Sequence, residues 1–316
     1  MTLGYLARGL VQVLGAHFIV STLLSLAVVV VWRRAAVAPT SASVSARRLF
    51  LGRLLPSSAG LLAAILVTAG YVRWEERVES EVVGAVAVAV AFAGLAAIAR
   101  AAACGAMVFW RTFRIRRALT KSIASTLPTR PLPASVIDTD FPVVAIVGLF
   151  AARLFVARRV LDACSAEEVE AVLAHEHAHV RQHDNLRRLA MAVAPDVLGL
   201  CRAGRRLEAA WMQAAELAAD EWAAARGDSG LHLASALVKV ARLAAPPVNP
   251  LPASALYRGE PITERVQRLL DPPATTDIRP WPAWARALTC AALVAAALAS
   301  LSWLHAAAER LLLLGQ

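Results

Sequence analysis

Four stretches of this 316-residue chain are almost wholly apolar, and their length constrains the fold more than any other feature. They run from about Gly9 to Trp32, Leu54 to Val72, Val82 to Trp110 and Ala287 to Leu304. The third is uncharged to Ala99 and continues past Arg100. Crossing a bilayer takes roughly 20 mostly apolar residues. A helix that is apolar on every face has no side to offer water, so it belongs in a large core or a membrane. Composition favours the membrane: 58% of residues are hydrophobic and only 18% charged, against about 25% charged in ordinary soluble domains. Trp32, Trp74, Trp110, Trp281, Trp284 and Trp303 all lie near span ends, where amphipathic rings settle at the interface. A cleaved leader is disfavoured for the first stretch. The apolar run is too long, and Arg33 and Arg34 follow it instead of preceding it.

The net charge of +10 could signal nucleic acid, an anionic surface or topology. Its location decides. Residues 33–130 hold 14 basic and 4 acidic residues, whereas residues 131–316 hold 18 and 19. The loops at 33–53 and 111–121 carry Arg33, Arg34, Arg47, Arg48, Arg53, Arg111, Arg114, Arg116, Arg117 and Lys121 with no acid. The positive-inside rule turns these loops to the cytoplasm. The N-terminus and the C-terminal tail are then outside, and residues from about 111 to 282 are cytoplasmic. Direct nucleic-acid binding is not expected. Cys104, Cys164, Cys201 and Cys290 form no CxxC and read as plain thiols, not a disulfide framework.

Within the cytoplasmic part, residues 122–141, with Pro128, Pro131 and Pro133, read as a linker. Residues 143–158 read as a β-hairpin, with a short helix as the alternative. Ser165 and Glu168 have capping-box spacing and start a helix from Ala166 to about Gln182 or His183. The apolar stretch 185–201 is interrupted by Pro195 and Asp196, so it reads as a kinked or interfacial helix, not a fifth span. Further helices are expected at 205–226, 232–243 and 262–270, with a Pro-rich loop at 246–252.

The first of these helices carries His175-Glu176-His177-Ala178-His179. His175 and His179 are four apart and share a helix face. Two such imidazoles can bind one Zn²⁺ at about 2.0–2.1 Å, with Glu176 beside it as a general base. A catalytic zinc needs a third protein ligand and an open position. Glu216 can supply it. Asp220, four residues further along, can accept a hydrogen bond from a ligand imidazole. His183 is the rival third ligand, although each step of four along a straight helix drifts by about 40°. His177 points away from this face, and His17, His232 and His305 are isolated.

H-E-x-x-H followed by His183-Asp184-Asn185-Leu186 resembles the BlaR/MecR-type membrane metallopeptidases. The resemblance covers about residues 143–271 and the arrangement of flanking spans. It implies a gluzincin-like zinc endopeptidase whose acidic third ligand sits in an E-x-x-x-D context, matched by Glu216 and Asp220. It also implies a Pro-containing apolar segment between the motifs, to which Pro195 corresponds, and a supporting place for Asp184. The related HtpX and CAAX-prenyl-protease group is similar at Glu264-Arg265-Val266-Gln267-Arg268-Leu269. That similarity implies for Arg265 a pair with Asp220 or a part at the oxyanion. One departure matters. The β-lactam sensors carry a large extracellular domain after the last span, and only about a dozen residues follow Leu304 here. β-Lactam sensing is therefore not implied.

The expected fold is a mainly α membrane protein of a bacterial-type plasma membrane. It has about four transmembrane helices and a cytoplasmic α+β zincin-like metallopeptidase domain. Residues 1–121 form the membrane region, 122–282 the metallopeptidase domain, and 283–316 the fourth helix with a short tail. The expected activity is zinc-dependent endopeptidase cleavage of a protein or peptide at the cytoplasmic face. A transcriptional repressor or another regulator is the expected substrate. Quality control of membrane proteins and a non-catalytic transducer with a structural zinc are the alternatives. Retention of Glu176, which a structural zinc does not need, disfavours the last.

Overall fold

The computed structural model describes residues 3–34, 41–74, 83–129, 132–139, 141–226, 229–243, 262–273, 306–307 and 310. The expected fourth span at 287–304 and the Pro-rich loop at 246–252 lie outside these residues. Three helices, α1 (Leu3–Arg34), α2 (Ala42–Trp74) and α3 (Ala85–Lys121), are long and apolar enough to cross a membrane. α1 and α2 overrun the expected spans at both ends, and α3 starts three residues inside its expected span and runs on to Lys121.

Their packing is inverted relative to a water-soluble bundle. Leu10, Leu23, Leu26, Leu61, Ile65, Phe92 and Leu95 face outward, while α1 buries Arg8, Gln12, His17, Ser21 and Ser25. Apolar side chains outside and polar ones inside suit a hydrocarbon solvent, where small residues let helices approach and polar groups bind across them. Gly94 meets α1 so closely that a Cβ there would lie 2.7 Å from the Leu14 carbonyl oxygen, and Gly60 stands equally close to His17.

Residues 122–141 are not a plain linker. They contain β1 (Ile123–Leu127) and β2 (Ala134–Ile137), and Pro128 and Pro133 fall between the strands, not within them. The expected hairpin forms as β3 (Val144–Val147) and β4 (Arg153–Ala157). The sheet order is β1-β2-β4-β3, with β2 and β4 parallel and both outer pairs antiparallel. β3 is therefore an edge strand. After a short α4 (Arg158–Ala163), α5 (Ala166–Arg181) lies against this sheet and α8 (Ser229–Leu243). Phe155, Leu154 and Val156 pack with Val172, Leu233 and Leu237 in one buried cluster.

The capping box that starts α5 is complete. The Ser165 Oγ accepts from the Glu168 amide, and a Glu168 oxygen accepts from the Ser165 amide at 2.7 Å. Glu168 also accepts from Ser235 at 2.6 Å and Lys239 at 2.7 Å, fastening α5 to α8. α5 ends at Arg181, and α6 (Asp184–Ala192) begins after a two-residue joint at whose second position, His183, the φ of 55° is left-handed.

Residues 193–201 do not continue the helix. They form a turn and a single 3-10 turn (Val197–Gly199) before α7 (Arg202–Ala224). Each described span grips this turn. His17 on α1 donates Nε2–H to the Pro195 carbonyl at 2.9 Å. Arg53 on α2 donates to Asp196 at 3.0 and 3.1 Å and to the Met191 carbonyl at 3.0 Å, and Ser57 donates to Asp196. Arg100 on α3 donates to the Ala194 carbonyl at 2.7 Å. α7 then runs antiparallel along α2, through Arg53–Glu208, Phe50–Trp211 and the Ala42 amide on Glu221. α9 (Ile262–Leu270) closes against α7 and α8.

Candidate metal centre

Three helices meet at the centre. α5 brings His175, Glu176 and His179, α6 brings Asp184, and α7 brings Glu216 and Asp220. One ligand atom each from His175, His179 and Glu216 lies within 4.8 Å of the others. The His175 and His179 Nε2 atoms are 3.2 Å apart. Glu216 Oε2 is 3.5 Å from His175 Nε2, and its Oε1 is 3.7 Å from His179 Nε2.

The other nitrogen of each imidazole faces a carboxylate, with a hydrogen bond at His179 and an ion-pair approach at His175. His175 Nδ1 lies 2.9 Å from Asp220 Oδ1, and His179 Nδ1 lies 2.7 Å from Asp184 Oδ2. An imidazole that donates Nδ1–H to a carboxylate keeps a lone pair on Nε2. Two such lone pairs and a carboxylate then converge on one point, and that donor set suits a cation. A proton on one imidazole meets the need only in part. A tetrahedral metal ion meets it with all three groups, so the residues fit a zinc site.

Charge around the cluster follows the same logic. Burial disfavours a charged His175, yet Asp220 and Glu216 outweigh it and raise its pKa. Burial also opposes charge at His179, but Glu216 and Asp184 push its pKa up to about 10. Glu216, although buried, is held well below the ordinary carboxylate range by His179, His175 and Arg265. Glu176 goes the other way. Burial raises its pKa, and His179 and His175 offset this only in part. Its Oε1 is buried without a hydrogen-bond partner among the described residues.

Arg265 makes two 2.7 Å hydrogen bonds to Asp220 and stands 3.5 Å from Glu216 Oε2. It is buried, and its hydrogen bonds go to Asp220. His183 sits exposed at the α5–α6 joint and is not part of the cluster. His177 is half-buried on another face, where burial and Arg226 lower its pKa. His17, expected to be isolated, belongs to the grip on Pro195.

Two residues gain contacts that spacing did not announce. The Asn185 amide donates to the Gly148 and Ile146 carbonyls at 2.9 and 3.3 Å, tying α6 to the end of the edge strand β3. Arg188 reaches to 3.7 Å from Glu216 Oε1. Asn185 entered the sequence reading only as part of the run that carries the resemblance, and Arg188 does not stand out there, being one of two adjacent arginines.

No curated protein and no solved structure matches the chain. Residues 110–213 match peptidase family M48. The matched segment includes His175, Glu176, His179 and Asp184 and stops three residues before Glu216. It supports a metallopeptidase of the M48 group, which takes in HtpX-like, CAAX-protease-like and BlaR-like proteins, in a chain whose three apolar helices suggest a membrane protein.

Proposed function

We propose that the chain is a membrane-embedded, zinc-dependent endopeptidase that cuts protein substrates at the cytoplasmic face. The observation that carries this reading is the convergence of His175, His179 and Glu216 with Glu176 beside them. A zinc ion, when bound, lowers the pKa of water toward about 7 and polarises a peptide carbonyl. His175, His179 and Glu216 would hold it. Asp220 and Asp184 fix the two imidazoles, and Arg265 fixes Asp220.

Glu176 is the general base. Its raised pKa makes it a better proton acceptor than an exposed carboxylate. It takes a proton from the attacking water, whose oxygen bonds to the carbonyl carbon. It then gives that proton to the amine nitrogen as the C–N bond breaks, leaving a carboxylate and an amine. β3 has no strand on its outer side among the described residues, and an extended substrate can add there as a strand, with the Ile146 carbonyl already held by Asn185.

The arginines of residues 33–53 and 111–121, at the C-terminal ends of α1 and α3 and in the N-terminal part of α2, support an inward-facing centre. The substrate is then a cytoplasmic regulator, such as a transcriptional repressor. Glu176→Gln should lower proteolysis by about 10²- to 10⁴-fold with bound zinc unchanged. Equal cleavage by the variant would sink the reading. New protein N-termini found in cells carrying the wild type, and missing with Glu176→Gln, would name the substrate. Recovery of damaged membrane proteins in place of a regulator would favour quality control.

A further inference from the structure

We propose that Arg188 is a catalytic residue, whose guanidinium donates to the carbonyl oxygen of the peptide bond being cut. The proposal rests on the peptidase reading above and names a further group in that same site.

Glu216 has two sides. Its Oε2 faces His175 and Arg265, and its Oε1 faces His179 and Arg188. The first side is closed: the His175 side chain is 0% exposed and that of Arg265 5%. The second side opens outward, with the His179 side chain 10% and that of Arg188 29% exposed. Among the described residues, the open approach to the centre therefore runs past Arg188.

The two arginines also differ in what they have left to give. Arg265 spends its donors on Asp220 at 2.7 Å. Arg188 has Glu216 Oε1 only at 3.7 Å, beyond hydrogen-bond range, and its Nε is buried with no partner among the described residues. Its position is nonetheless fixed. It projects from α6, whose first residue is Asp184, and its guanidinium lies 5.9 Å from the centre of the buried Trp211 ring. A fixed cation with uncommitted donors, on the accessible side of the ligand carboxylate, is suited to a carbonyl oxygen that gains negative charge. Preorganised donors of this kind act without reorganisation at the moment of reaction.

The test uses the full chain, zinc-loaded in detergent micelles, with fluorescein-labelled casein as substrate. Arg188→Gln should lower kcat about 100-fold, with KM, zinc content and thermal midpoint close to wild type. Arg188→Lys should restore part of the loss, since a point charge replaces the fork. Wild-type kcat in Arg188→Gln would overturn the proposal. So would a loss of activity that tracks a loss of zinc, since Arg188 would then only hold Glu216 in place. A wild type no more active than Glu176→Gln would overturn the peptidase reading itself, and this proposal with it.

Discussion

His183 has a φ of 55°, a positive value that no other non-glycine residue shares among those described. It stops α5 and lets α6 start in a new direction, which brings Asp184 back onto His179. A left-handed backbone costs an L-residue about 1–2 kcal/mol, and most for a β-branched side chain. His183 already bears this cost, so His183→Val should lower stability by the further strain of its β-branch, about 1 kcal/mol. In His183→Gly, relief of strain and the looser unfolded chain nearly cancel, within about 1 kcal/mol. Thermal unfolding in micelles checks both, and zinc stoichiometry should stay at the wild-type value in each. Loss of zinc in His183→Gly would return His183 to the list of ligands. At this scale the sequence was informative where chemistry repeats at helical spacing: His175 with His179, and Glu216 with Asp220. It was silent where contact depends on a joint. Histidine at 183 does not announce a left-handed turn as glycine would, and Arg188 acquires its place only through the crossing of α6 and α7.

Elements were readable to the extent that their faces differ. α5 has a capping box and a one-sided burial pattern, and it forms almost where expected. β1 exposes its three central residues, so it lacks the apolar alternation that marks a strand, and its neighbouring prolines made the segment look like a linker. β2 is buried on both faces for only four residues, too short a run to stand out. The fastening of α5 to α8 was likewise invisible, because Lys239 and Ser235 lie about seventy residues from Glu168. That fastening sets an acid limit. Burial opposes charge on Glu168, but Lys239, Ser235 and the Ser165 amide outweigh it and lower its pKa to about 2. A carboxylate with a depressed folded pKa stabilises the fold above its unfolded value near 4.5, and this contribution fades as pH falls toward about 2. Thermal midpoints should therefore drop across that window in the wild type. Glu168→Gln should start lower at neutral pH and show a shallower slope there. An unchanged slope would place the acid sensitivity elsewhere.

Across the whole molecule, charge distribution carries the expected orientation of the spans, but nothing local indicated how the spans hold the part that bears the histidine–glutamate cluster. Pro195 and Asp196 read only as an interruption, and His17 and Arg100 as strays in apolar runs. Their meaning lies in contacts between residues up to 178 positions apart. Polar groups within spans are costly unless satisfied. Here, one from each described span is satisfied by the same turn. The turn is continuous with α6 on one side and α7 on the other, so the bundle and the metal centre share one support. Arg53 bears most of it, with Asp196, Glu208 and the Met191 carbonyl all bound to one buried guanidinium. Replacing a single partner of a buried ion pair costs about 3–5 kcal/mol, because the other charge stays behind uncompensated. Arg53→Met, which keeps much of the side-chain length, should therefore lower the thermal midpoint strongly. The drop should be the same whether unfolding is followed by helical circular dichroism or by release of bound zinc. A midpoint for zinc release that stays at the wild-type temperature while the helices melt early would show that the centre stands without the bundle. Coincident curves would show that the spans and the site unfold as one structure, hinged on residues 194–196.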